Sequence, residues 1–122
     1  MERVAIVGSR SYPLMEAVAS YVRRLSSDTM VVSGGAFGVD SVAEFMARKV
    51  GLQVVVFEAD WKRYGKAAGM IRSRDVVALA DRVMAFWDGK SPGTRGTIDL
   101  ARLAGKPLVV YGPDGRSYDA PV

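Results

Sequence analysis

Residues 31–44, VVSGGAFGVDSVAE, join an apolar strand to a helix through a glycine-rich turn. Val31 and Val32 end the predicted strand, and the predicted helix begins near Val39 or Asp40. A strand that passes directly into a helix is the repeating unit of a parallel sheet. Glycines also let a ligand approach the free donors at the start of the helix, which favours an anion. The stretch therefore limits the fold and gives the first candidate site.

The same order of strand, loop and helix recurs along the chain. Short apolar runs, typical of strands buried on both faces, occupy 3–7, 29–33, 52–57, 82–87 and 106–111. Helical spacing of apolar residues follows each of the first four runs. The pattern predicts an α/β domain with three layers and a five-stranded parallel sheet in the order 3-2-1-4-5, with right-handed crossovers.

Several local signals set the expected element ends. Pro13 fits the first position of the first helix, and Ser41 with Glu44 fits a capping box in the second. A basic loop is predicted at 62–69, and the last helix is expected from about 95 to 104. Residues 113–122 have turn residues and little apolar content, so an irregular tail is expected there.

Composition limits both the size of the fold and its chemistry. The 122 residues, 49% of them hydrophobic, predict one domain over 1–122 with one core. The chain has no Cys and no His, which excludes disulfides, thiolate chemistry and a metal site built on imidazole. Net charge is +4, which favours an anionic ligand, a nucleotide or nucleic acid. No apolar run is long enough for a membrane span and no signal-peptide pattern is visible, so a cytoplasmic protein is expected.

The predicted strand order reverses between strands 1 and 4, and ligands of open α/β sheets bind at such a point. The loops 8–13, 33–40 and 88–97 should meet there, and they are rich in Gly, Ser, Thr and Arg. Backbone donors of the glycine turn would hold phosphate, with hydroxyls and arginines around it, while Asp40 would accept from a ribose hydroxyl or cap its helix. The predicted ligand-binding residues are Gly8, Ser9, Arg10, Ser33, Gly34, Gly35, Ala36, Gly38, Asp40, Gly93, Thr94, Gly96 and Thr97.

The segments GSRSYP, SGGAFGVDSVAE, GMIRSRDVVALADRVMAFWDG and GTRGTIDLARLAGKPLVVY cover most of the chain. In this order and spacing they resemble the SLOG superfamily of nucleotide-binding Rossmann-like domains, and within it the small YspA/YpsA-related proteins. The resemblance implies a Rossmann-like fold, a nucleotide-type ligand without a further cofactor, and a homodimer.

Two other branches of that superfamily bear on function. The DNA-processing protein A branch has a similar SGxAxGxD turn and binds single-stranded DNA. The LONELY GUY branch hydrolyses cytokinin nucleotides, and its motif PGGxGTxxE resembles residues 92–97. The catalytic arginine of that branch falls on Arg72, whereas its catalytic glutamate falls on Leu100, so one half of the catalytic pair is absent.

Three functions are therefore expected in decreasing order. The first is binding of a nucleoside phosphate, ADP-ribose or a dinucleotide. The second is hydrolysis of an N-glycosidic bond, for which Arg72 and Asp88 are the predicted catalytic residues, with Asp40, Glu58 and Asp99 as other carboxylates. Asp88 also fits a simple turn residue. The third is binding of single-stranded DNA, in which Trp61 in the basic stretch WKRYGK would stack a base.

Overall fold

The computed structural model of the chain describes residues 1–118 as one α/β domain. The strands are β1 (Glu2–Gly8), β2 (Thr29–Ser33), β3 (Gln53–Val56), β4 (Arg82–Phe86), β5 (Leu108–Tyr111) and β6 (Ser117–Tyr118). The helices are α1 (Met15–Arg23), α2 (Val39–Lys49), α3 (Trp61–Tyr64), α4 (Ala68–Leu79) and α5 (Pro92–Leu103), with a 3-10 turn at Gly65–Ala67 between α3 and α4. No helix within this part of the chain is both long and apolar enough to span a bilayer.

The six strands form one sheet in the order 3-2-1-4-5-6. The first five are parallel, so the predicted order and the α/β class are confirmed. β6 is a short antiparallel addition at the edge, paired with β5 through Val110 opposite Tyr118. The expectation of an irregular tail is therefore wrong for Ser117 and Tyr118, and residues 119–122 lie outside the described residues.

The core has two halves because alternate residues of each central strand point to opposite faces of the sheet. On β1, Val4 and Ile6 pack with α1 and α2 on one face. Ala5 and Val7 pack with α4 and α5 on the other. β1 and β4 are buried on both faces, which explains why they are continuous apolar runs in the sequence.

Several predicted element ends are wrong. Helix α1 begins at Met15 and follows Leu14, so Pro13 lies before the helix. Helix α2 follows Gly38, whose φ of 87° is left-handed, so Ser41 already lies inside the helix and the capping box does not form. The predicted loop 62–69 holds α3 and the 3-10 turn, and α5 begins at Pro92 rather than near 95.

Candidate functional site

The carboxyl ends of β1, β2 and β4 open into a cleft with a volume of about 480 Å³. All three predicted loops contribute to it, and so does the segment that follows β3. Its lining comprises Val7, Gly8, Ser9, Arg10, Gly34, Ala36, Asp40, Trp61, Lys66, Gly69, Met70, Arg72, Ser73, Val76, Ser91, Pro92, Gly93, Thr94 and Thr97. The volume lies within the range of small-molecule sites.

Three hydroxyl groups meet where β1 and α5 approach each other. Ser9 Oγ lies 2.6 Å from Ser91 Oγ and 3.3 Å from Thr94 Oγ1, and Ser91 Oγ donates to Thr94 Oγ1 at 3.1 Å. Ser9 also accepts a 3.1 Å hydrogen bond from the backbone N–H of Asp88. Ser9 and Thr94 are buried within the protein but line the cleft. The loop after β1 and the start of α5 are thus joined by polar groups that line the cleft.

The start of α5 is suited to an anion. Pro92 has no N–H, and the first donors of the helix belong to Gly93 and Thr94, for which the carbonyl four residues earlier lies outside the helix. The side chain of Ser91 makes no capping hydrogen bond to them, and the first turn holds no acidic residue. The positive end of the α5 dipole is therefore not compensated within the helix itself.

The glycine turn after β2 differs, because two of its backbone donors already have partners. The N–H of Gly35 donates to Ser33 Oγ at 3.3 Å, and the N–H of Ala36 donates to Asp40 Oδ2 at 3.2 Å. Ser33 Oγ in turn donates to Glu44 Oε2 at 2.5 Å. Of the backbone donors predicted to hold phosphate, those of Gly35 and Ala36 are therefore engaged within the protein.

Asp40 is the buried carboxyl of the cleft, with 5% of its surface exposed. Burial raises its pKa to about 6, although the N–H of Ala36 and the nearby Arg72 act in the opposite direction. Arg72, on α4, donates from Nη1 to the carbonyl oxygen of Gly34 at 3.3 Å. A Cβ at Gly34 would lie 3.0 Å from Arg72 Cδ and 3.1 Å from Asp40 Oδ2, so the glycine gives both side chains their space.

The charged side chains that line the cleft favour an anion. Arg10, Lys66 and Arg72 line it against one carboxyl, that of Asp40. Within the described part of the chain, no group of three or more acidic side chains is arranged to hold a metal ion. The polar groups on offer are hydroxyls, backbone donors and cations, the set that binds phosphate in proteins.

Comparison with known proteins adds a family. Residues 2–64 match the sequence profile of the YAcAr family, described as the YspA, cpYpsA-related SLOG family. The Gene 61 protein of Mycobacterium phage D29 is 38% identical over 122 residues, which cover 92% of this chain and 98% of the phage protein. The chain belongs to this SLOG family. The predicted resemblance is thereby confirmed.

Two solved SLOG structures have the same fold. DNA processing protein A from Streptococcus pneumoniae superimposes with a TM-score of 0.76 at 22% identity, over 92% of this chain and 50% of its own. The same protein from Helicobacter pylori, studied for its single-stranded DNA binding mode, gives 0.69 at 26% identity, over 90% and 65%. This SLOG chain spans half of the S. pneumoniae protein.

Ten of the predicted residues line the cleft of this SLOG domain: Gly8, Ser9, Arg10, Gly34, Ala36, Asp40, Arg72, Gly93, Thr94 and Thr97. Five others do not, namely Ser33, Gly35, Gly38, Gly96 and Asp88. Gly96 lies one turn into α5, where a Cβ would be 3.3 Å from Met70 Cε, so it provides space for α4. Gly38 packs on the backbone of Arg10, and a Cβ at Gly38 would lie 2.6 Å from the Arg10 carbonyl oxygen.

Asp88, one of the two predicted catalytic residues, is a turn residue. Its Oδ1 accepts from the N–H of Lys90 at 2.9 Å and of Ser91 at 2.8 Å. Burial opposes ionisation, but these hydrogen bonds prevail and lower the pKa of Asp88. It shapes the loop that presents Ser91, and it does not face the cleft.

Apart from Arg72, the sequence prediction missed the side of the cleft formed by residues 61–73. Trp61 was assigned to DNA stacking, and Lys66, Gly69, Met70 and Ser73 were not assigned to the site at all, yet all line the cleft. Because β3 lies away from the switch point, the loop after it was not expected to reach the ligand. The basic and aromatic stretch WKRYGK was the one signal that favoured this segment.

Proposed function

We propose that this SLOG domain binds a nucleotide in the cleft, with the phosphate at the start of α5. The observation that carries the proposal is the convergence of the Ser9, Ser91 and Thr94 hydroxyls with the first backbone donors of α5. Free donors at a helix end and the helix dipole both favour a phosphate. The three cations that line the same cleft add charge of the right sign.

The start of α5 suits phosphate better than the start of α2, although the glycine-rich sequence favoured α2. Two N–H groups before α2 are already bound to Ser33 and Asp40. Asp40 also adds negative charge to the first turn of α2, whereas the first turn of α5 has no acidic residue. A second anion beside Asp40 would be repelled.

The candidate ligands share a phosphate joined to a nucleoside: a nucleoside monophosphate or diphosphate, ADP-ribose or a dinucleotide. AMP is the simplest probe of that class. A site for a nucleoside should also offer acceptors to a ribose, and Asp40 with the carbonyl oxygen of Gly34 provides them at the other side of the cleft.

A pair of substitutions at Gly93 tests this function by charge alone. Gly93 has no positive φ and a Cβ there would meet nothing within 4 Å, so longer side chains fit. Gly93→Glu brings a carboxylate to the proposed phosphate position, and Gly93→Gln is a neutral side chain of the same size. We expect the Gly93→Glu variant to bind AMP at least about tenfold more weakly than the Gly93→Gln variant, as measured by calorimetry. Equal affinities would show that the phosphate binds elsewhere.

A second function, hydrolysis of the N-glycosidic bond of a bound nucleotide, is favoured by Asp40. The carboxyl is buried in the cleft, its pKa is raised to about 6, and Arg72 lies near it. A group that titrates near neutral pH suits general acid–base chemistry. Leu100, which stands where the LONELY GUY branch has its glutamate, instead packs against the core.

In this reaction water adds to the anomeric carbon, the bond to the base breaks, and the base leaves with a proton. Asp40 would either take the proton of the water or stabilise the positive charge that develops on the sugar. Base release from AMP should then be lost in Asp40→Asn while AMP still binds. Base release at the wild-type rate by that variant would remove Asp40 from the mechanism.

Single-stranded DNA is the competing ligand, supported by the Helicobacter pylori relative. The affinities for AMP and for single-stranded DNA should depend differently on salt. Binding of a DNA strand through several phosphates releases several counterions, so its affinity falls steeply as salt increases. A mononucleotide bound at one helix end should respond far less.

A further inference from the structure

The cleft holds two exposed apolar side chains that the phosphate site does not explain. Trp61 is 59% exposed and Met70 is 46% exposed, and both line the cleft. Leaving a tryptophan in water forgoes the large burial energy of its ring. Among the described residues that line the cleft, Trp61 is the aromatic one.

Local hydrogen bonds fix the backbone that carries the Trp61 indole. Trp61 is the first residue of α3, and Asp60 caps this short helix by accepting from the N–H of Arg63 at 3.1 Å. Tyr64 closes the turn with a 3.0 Å hydrogen bond from its N–H to the Asp60 carbonyl oxygen. The ring then lies against Gly69, where a Cβ would be 3.6 Å from Trp61 Cη2.

Gly69 also joins the ring to the charged part of the site. The same Cβ position is 3.7 Å from Arg72 Nη2, so the guanidinium and the indole flank one glycine. The lining of the cleft thus combines two exposed apolar side chains, Trp61 and Met70, with the Ser9, Ser91 and Thr94 hydroxyls. A ligand that matches both has an aromatic group joined to an anion.

We propose that Trp61 is the platform on which the base of the bound nucleotide stacks, which makes it a specificity residue for an aromatic base. The inference rests on the proposed nucleotide function and adds the position of the base. A mononucleotide is favoured over a DNA strand because successive bases need successive platforms, and the described residues that line the cleft include one aromatic ring. The other tryptophan, Trp87, is buried and its Nε1 donates to the Ser91 carbonyl oxygen at 3.1 Å. The neighbouring Tyr64 does not line the cleft, and the Arg63 guanidinium lies 5.1 Å from the centre of its ring.

Calorimetric titration with AMP and with ribose 5-phosphate separates the two halves of the site. Ribose 5-phosphate keeps the phosphate and lacks the base. Trp61→Ala should weaken AMP by about tenfold or more and leave ribose 5-phosphate unchanged. Trp61→Phe keeps a stacking face and should retain most of the AMP affinity. Tyr64→Ala is the matched control, since Tyr64 belongs to the same short helix and does not line the cleft.

Fluorescence gives a second readout because the two tryptophans differ in exposure. AMP should quench the emission of the wild type through Trp61, and the quenching should vanish in Trp61→Phe, which retains the buried Trp87. Ribose 5-phosphate should leave the emission unchanged.

The possible failures are distinct. Equal AMP affinity for the wild type and Trp61→Ala, without quenching, overturns the stacking role and leaves the nucleotide function standing. Failure of both AMP and ribose 5-phosphate to bind the wild type overturns the nucleotide function and the stacking role with it. Quenching by a short oligo-dT and none by AMP would assign Trp61 to nucleic acid instead.

Discussion

Arg72 on α4 donates a 3.3 Å hydrogen bond to the carbonyl oxygen of Gly34 at the end of β2. The two residues are separated by 38 positions in the chain, and their contact brings the guanidinium next to the buried carboxyl of Asp40. The Arg72 side chain on α4 and the Asp40 carboxyl on α2 thus lie side by side in the lining of the cleft. Four expected outcomes follow from this arrangement and from the packing around it.

Replacement of Arg72 should weaken ligand binding without unfolding the domain. Arg72 is half-buried and lines the cleft, so Arg72→Ala should lower AMP affinity by about ten- to a hundredfold, the value of a hydrogen bond to a charged group. Arg74→Ala, an exposed arginine on the same helix that does not line the cleft, is the control. If the two variants titrate alike, Arg72 takes no part in binding.

Asp40 should make stability depend on pH. Its pKa is raised from 3.8 to about 6 in the folded state. The contribution of the protonated carboxyl to the free energy of unfolding is therefore fully present below pH 3.8 and is lost as the pH rises through about 6. Asp40→Asn resembles the protonated form at every pH. It should match the wild type near pH 4 and exceed it by about 2–3 kcal/mol at pH 8 in urea unfolding.

The control for that measurement is Asp75→Asn, which changes an exposed acid on α4. Its difference from the wild type should stay small across the same pH range. A constant difference between Asp40→Asn and the wild type from pH 4 to pH 8 would show that Asp40 ionises normally in the folded protein.

Close packing should require a glycine at position 8. A Cβ there would lie 2.5 Å from the Phe86 carbonyl oxygen and 2.7 Å from Val39 Cγ2, so Gly8→Ala should cost about 3 kcal/mol or more of unfolding free energy. At Gly93 a Cβ would have no neighbouring atom within 4 Å, so Gly93→Ala should leave the free energy of unfolding unchanged or slightly raised. Equal stabilities by urea unfolding would contradict the close contact of β1 with β4 and α2.

Asp88 should matter through its turn alone. Asp88→Asn keeps the oxygen that accepts from Lys90 and Ser91, so AMP binding should equal that of the wild type. Asp88→Ala removes both hydrogen bonds and should lower stability by about 1–2 kcal/mol. Loss of AMP binding or of base release in Asp88→Asn, with the fold intact, would restore the direct role predicted from sequence.

The strand order could be predicted from sequence because it depends on a repeated local pattern. Each apolar run followed by a helical period is visible without knowledge of contacts, and the alternation allows few topologies. β6 was missed because it has two residues, Ser117 and Tyr118, which are exposed and show no alternation. Helix α3 was missed for a similar reason, since it makes a single turn.

The position of the site was predicted from sequence, but the different roles of the turn after β2 and the start of α5 were not. Glycine-rich sequence indicated the turn after β2, but only packing shows that Ser33 and Asp40 already bind its donors. The first turn of α5 contains Gly93, which argued for a loop, although Pro92 fits the first helical position. Gly35→Val is not a clean test of binding at this turn, because Gly35 has a φ of 70° and a Cβ there would lie 3.0 Å from Val56 Cγ1.

The most direct test of the account is calorimetric titration of the wild type with AMP and with a short single-stranded oligonucleotide, each at about 50 mM and about 200 mM salt. We predict saturable binding of AMP at one site, with affinity that changes little between the two salt concentrations. Absence of AMP binding, together with oligonucleotide binding that falls steeply at the higher salt, would contradict a mononucleotide site in the cleft.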